Sequence, residues 1–153
     1  MEGITVAYTN AISSYRETRV KTASQGQLII MLYEEAVRSL DRAIDLLGMD
    51  AGGKKNPSNI EKVSKSILKV QEIITELTAS LDFEQGGEIS RNLFSLYNWF
   101  NRELLEGNIH QDSRRIMAVR NQMDDLKGAW SEIVAKSGRE SSGKAAAGVN
   151  IAG

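Results

Sequence analysis

Apolar residues recur along this chain at alternating steps of three and four. Ile60, Val63, Ile67, Val70, Ile74, Leu77 and Leu81 form one such series, and Ile116, Val119, Met123, Leu126, Trp130 and Ile133 form another. This is the spacing of a helix face packed along a bundle seam. Between them, Ile89, Leu93, Leu96, Tyr97, Phe100 and Leu104 predict a third helix, ending near Gly107. Upstream, "TASQGQLIIMLYEEA" opens a helix over about 25 to 47, with Ser24 and Gln27 in a capping-box arrangement and Gly48 as the stop. Ser58 and Glu61 repeat the box before the second helix, "DFEQGG" breaks the pattern before the third, and Asp112 is placed to cap the fourth.

Strand-like alternation is nowhere sustained, and the one proline, Pro57, leaves long segments uninterrupted. The expected fold is all-α, an antiparallel up-down four-helix bundle with a short additional N-terminal helix, because short second and third connections make sequential helices antiparallel neighbours. Residues 1–20 form an N-terminal segment in which Ile4, Tyr8, Ile12 and Tyr15 share a face. That segment is too short to be stable alone and must dock. The bundle domain spans 21–136. The stretch 137–153, "SGRESSGKAAAGVNIAG", is small, poor in large apolar groups and expected to be a disordered tail.

The first long helix differs from the others. Projected at about 100° per residue, its apolar positions from Leu28 to Leu47 fill an arc of roughly 200°, while the main stripes of the second and fourth helices are about half as wide. One explanation is burial: the helix touches two neighbours and the docked N-terminal segment. The other is a second face. On that reading Leu28 and Leu32 belong to the core, and Ile29, Ile30, Tyr33 and Val37 line a groove for a partner segment. Phe94, Trp99 and Leu105, off the main stripe of the third helix, are further groove candidates.

Composition narrows the function classes. Nineteen Lys and Arg against twenty Asp and Glu leave no field favouring nucleic acid, and no apolar run approaches the ~20 residues needed to insert in a membrane. The absence of cysteine rules out disulfides and thiolate chemistry and fits a cytoplasmic protein. His110 is the one histidine; it is expected in a solvated loop, without the lysine and glycine of a phosphotransfer site, and di-iron chemistry requires two Glu-x-x-His pairs. Glu34 and Glu35 point about 100° apart on a helix. "EQGGE" lacks the strand and lysine of a phosphate loop. No enzyme, metal or cofactor signature emerges.

The opening stretch resembles the signature of the flagellin export chaperone family, FliS. The resemblance is carried by Ala7-Tyr8, Thr22-Ala23-Ser24, Leu28-Ile29, Met31-Leu32-Tyr33 and Ala36, then "SLDFEQGGEIS" at 80–90, "NLFSLY" at 92–97 and the late Trp130. It covers about residues 7 to 136, with two departures: Gln25-Gly26 where the family commonly has proline, and Glu34-Glu35 where it often has aspartate-glycine. It implies a helical bundle that binds the disordered C-terminal segment of flagellin in the cytoplasm, prevents premature polymerisation and delivers the client to the flagellar type III export apparatus. It also implies that the N-terminal segment lies over part of the binding surface. Monomer or weak homodimer is the expected free state. The alternatives are an adaptor bundle using the same groove and, further off, a histidine phosphotransfer protein.

Overall fold

The computed structural model describes residues 25–49 and 56–152, with side-chain surroundings as far as residue 138. Four helices follow one another: α1 (Gln25–Met49), α2 (Pro57–Ala79), α3 (Phe83–His110) and α4 (Ser113–Ala152). Each packs on its neighbours in sequence, and α1 closes the ring on α4, so α1 and α3 are diagonal, as are α2 and α4. This is the expected four-helix bundle. The N-terminal segment with Ile4, Tyr8, Ile12 and Tyr15, together with Ser24 of the first capping box, lies outside the described residues.

Helix boundaries follow local chemistry. The cap of α2 is Asn56, two residues before the expected Ser58. Its side chain accepts from the Ser58 N–H at 2.9 Å, and Pro57 occupies the first turn, where its missing N–H has no partner to lose. Asp82 caps α3 by accepting from the N–H groups of Glu84 and Gln85, both at 3.0 Å. The "DFEQGG" break is thus a first helical turn followed by a kink at Gly87, which has φ 49° and ψ −119°. A positive φ is cheap only without a Cβ. Beside it, a Cβ on Gly86 would meet Ser90 Oγ at 1.9 Å, and that buried hydroxyl donates to the Asp82 carbonyl at 2.9 Å.

Two ends differ from expectation. Helix α3 runs past Gly107 to His110 and stops at Gln111, whose φ of 50° reverses the chain; the Asp112 N–H bonds back to the Gly107 carbonyl at 2.8 Å. Asp112 then accepts from the Arg114 N–H at 3.0 Å, opening α4. That helix continues through the expected tail at 137–153 as far as Ala152. No proline interrupts this stretch, and Ala145 to Ala147 are strong helix formers.

The core draws on all four helices. Tyr33, Leu40, Ile67, Ile74, Leu77, Phe100, Leu104, Ile116 and Met123 are among its fully buried side chains. Each large apolar group contributes about 1.5–3 kcal/mol on burial, so the seams read from periodicity are also the main source of stability. Helix α1 packs more extensively on α2 and α4 than α3 does.

Candidate functional site

The wide apolar arc of α1 is bounded by two ion pairs. On one flank Glu35 accepts from Lys69 of α2 at 2.5 Å, and on the other Asp41 accepts from Arg120 of α4 at 2.9 Å. Between these flanks the helix faces α2, the bundle axis and α4 in turn. Two seams and the diagonal therefore cover most of the arc.

Burial pushes the Glu35 carboxyl up, but hydrogen bonds and charge from Lys69 and Arg38 outweigh it and hold its pKa at about 2. Arg42 adds a longer contact at 3.6 Å. Glu34 is not part of this cluster. Adjacent helical positions diverge by about 100°, which points the two carboxylates apart.

The expected groove residues are divided by the fold. Tyr33 points to the bundle axis and is fully buried, its hydroxyl meeting that of Tyr97 on α3; Val37 is buried on the α4 flank. Neither presents a surface to a partner in this structure, because the centre of the α1 arc faces the diagonal helix. Ile29 is partly buried against the core, and Ile30 is half-buried. Leu28 is buried and Leu32 packs partly against the core. Burial raises the Tyr33 and Tyr97 pKa values, which keeps both phenols neutral.

On α3 the three candidates lie on two sides. Trp99 packs against the core with its ring 5.8 Å from Phe100. Phe94 and Leu105 are 41% and 52% exposed. Eleven residues apart, they lie about three turns along one line of the helix. That line follows the side facing α2: Ser64 Oγ of α2 donates to Asn108 Oδ1 at 3.1 Å, and Leu68, one turn beyond Ser64, is half exposed. Phe83, turned back by the Gly87 kink, meets Phe94 edge to face at 5.8 Å. An exposed apolar shoulder thus runs along α2 and α3 through Leu68, Leu105, Phe94 and Phe83.

Leu68 and Phe83 were not singled out from sequence. Leu68 stands off the Val63–Ile67–Val70 stripe, a signal that was available; Phe83 depends on a kink that periodicity does not report. The same seam holds Asn101, whose side-chain Oδ1 is shielded from solvent without a hydrogen-bond partner.

His110 ends α3, exposed, with Nε2 3.2 Å from Glu106 Oε2. Among the described residues no group of three or more His, Cys, Asp and Glu is placed to hold a metal, and no helix is long and apolar enough to cross a membrane. What this face offers is exposed apolar surface.

Comparison with known proteins agrees in kind. Residues 8–137 match the family described as "Flagellar protein FliS". The "Flagellar secretion chaperone FliS" of Salmonella typhimurium is 35% identical over 121 residues, covering 78% of this chain and 84% of that one. The Escherichia coli protein of the same name is 33% identical over 117 residues, with coverage of 76% and 80%. The Bacillus subtilis one is 26% identical over 129 residues, with coverage of 84% and 90%. With its helical bundle and a family match that runs from Tyr8 to Ser137, the chain belongs to the FliS family of flagellar secretion chaperones, which are not enzymes.

Proposed function

We propose that this protein binds the disordered C-terminal segment of flagellin in the cytoplasm, keeps it from polymerising and delivers it to the flagellar type III secretion apparatus. The observation that carries this reading is the apolar shoulder of α2 and α3 in a member of a secretion-chaperone family. Leu68, Phe94 and Leu105 are at least two-fifths exposed. An amphipathic client segment would cover them and gain helix and burial together. Ordering such a segment costs part of the interaction energy, so binding stays reversible.

Of the residues first assigned to the groove, Phe94 and Leu105 are the proposed contacts, while Ile30, two turns before Val37 on the α4 side of α1, is not on the shoulder. Tyr33 and Val37 shape the core beneath. A lid carrying Ile4, Tyr8, Ile12 and Tyr15, which lies outside the described residues, is part of the same proposal: lid and client compete for the binding surface, a population shift set by differential contacts. The free protein is a monomer or a weak dimer.

Calorimetric titration with a flagellin C-terminal peptide tests this. Binding near one to one with a negative heat-capacity change is expected. No binding, or binding unaffected by Phe94→Asp with Leu105→Asp, counts against the assignment.

A further inference from the structure

On the side of α2 that faces α1 lies an open groove of ≈ 490 Å³, between the end of α1 and the start of α2. Its floor is apolar, from Leu46 and Met49, the latter 75% exposed. Its walls carry Arg42, Lys62 and Lys65 against one acid, Asp45. The size falls within the roughly 300–1,000 Å³ of small binding sites.

The positive charges are weakly engaged. Lys65 pairs with Glu61 at 3.3 Å, but both side chains are about seven-tenths exposed, so the pair holds little energy. Arg42 shares Glu35 with Lys69 and Arg38, at the longest of the three distances, 3.6 Å. Among the described residues Lys62 has no ion pair. Of the residues that line the groove three are basic and one is acidic, in a chain of net charge −1. Positive charge is therefore concentrated where an apolar floor is left open.

We infer that this groove docks an acidic segment of a partner protein, one large apolar side chain resting on Leu46 and Met49 between carboxylates that meet Lys62 and Lys65. A purely apolar partner leaves the cationic wall unmatched, and nucleic acid leaves the floor unmatched. The groove uses the α1 side of α2, whereas Phe94 and Leu105 stand on α3, so a client held by those two residues and this second partner are bound together.

The test is a titration of the full-length chain, followed by backbone amide shifts, with the blocked peptide Glu-Glu-Leu-Phe-Glu-Glu and its counterpart Gln-Gln-Leu-Phe-Gln-Gln. The acidic peptide is expected to shift residues 42–49 and 62–66 and to bind at least about tenfold more tightly than the glutamine peptide. Raising salt from about 50 to about 300 mM weakens it through screening. Lys62→Glu with Lys65→Glu abolishes binding, and Lys62→Gln with Lys65→Gln reduces it, with unchanged helicity in both. Equal binding of the two peptides, shifts confined to α3, no binding, or association with anionic lipid vesicles in place of the peptide overturns the inference. The flagellin titration is read at Phe94 and Leu105, so the failure of one proposal is distinguishable from that of the other.

Discussion

The hydroxyls of Tyr33 and Tyr97, 64 positions apart in the chain, lie 2.5 Å from each other between the diagonal helices α1 and α3. Both side chains are almost wholly buried. The contact ties two helices that lie diagonally across the bundle, and it converts two costly buried hydroxyls into a matched pair. Tyr33→Phe leaves the Tyr97 hydroxyl without that partner and is expected to destabilise the bundle by about 1–3 kcal/mol. Tyr33→Phe with Tyr97→Phe removes both ends, so its cost should fall short of the sum of the single changes by about 1 kcal/mol. Urea unfolding of the four proteins measures this; additive losses would show that the hydroxyls do not act as a pair.

That pair also separates folding residues from surface residues. Tyr33→Asp puts a charge on the bundle axis and is expected to unfold the protein or cost several kcal/mol. Phe94→Asp with Leu105→Asp changes half-exposed positions, and helicity and melting temperature should stay near those of the parent. The affinity for a flagellin C-terminal peptide should nevertheless fall by about tenfold or more, corresponding to roughly 1.4 kcal/mol. Circular dichroism and calorimetry on the same samples decide it. A normally folded Tyr33→Asp protein would contradict the buried placement.

These two classes were not equally legible in the sequence. The α2 and α4 series needed only a period, so Val63, Ile67, Ile116 and Val119 fell on the core face as expected. The α1 arc needed more, because a projection gives the angle between Leu28 and Tyr33 but not which direction is the bundle axis. Glu35–Lys69 and Asp41–Arg120 fix that direction, and they pair residues on different helices. Phe83 was hidden for a further reason: Gly87 changes the helix direction, so periodicity could not place Phe83 beside Phe94. Phe94 and Leu105 remained visible because exposed apolar residues off a stripe are a local signal.

The ion cluster on α1 gives a pH dependence of known sign. Glu35 has its pKa lowered from 4.5 to about 2 in the folded protein, so the folded state favours the carboxylate. Its contribution is fully present above pH 4.5 and is lost as pH falls toward 2. Allowing for solvent screening, it is about 1–2 kcal/mol. Glu35→Gln should lower stability at neutral pH by that order and flatten the stability curve between about pH 4.5 and pH 2. Denaturant midpoints across this range, wild type against variant, provide the check. Parallel curves would place the acid sensitivity elsewhere.

Asn101 offers a gain where the other changes bring losses. Its Oδ1 is shielded from water and has no hydrogen-bond partner, on the seam where α3 meets α2. An unpaired buried acceptor costs about 1–3 kcal/mol, and replacing it by an apolar group of similar size removes that cost. Asn101→Leu is therefore expected to stabilise the protein by about 1 kcal/mol and to raise its melting temperature by about 2–4 °C for a chain of this length. The position is partly exposed, so the larger side chain has room to settle toward the shoulder lined by Leu68 and Leu105. A client lying on that shoulder would then meet added apolar surface, and its affinity should rise or hold. Thermal unfolding and peptide titration together measure the two effects; a lower melting temperature would show that the amide is matched by a partner such as a bound water.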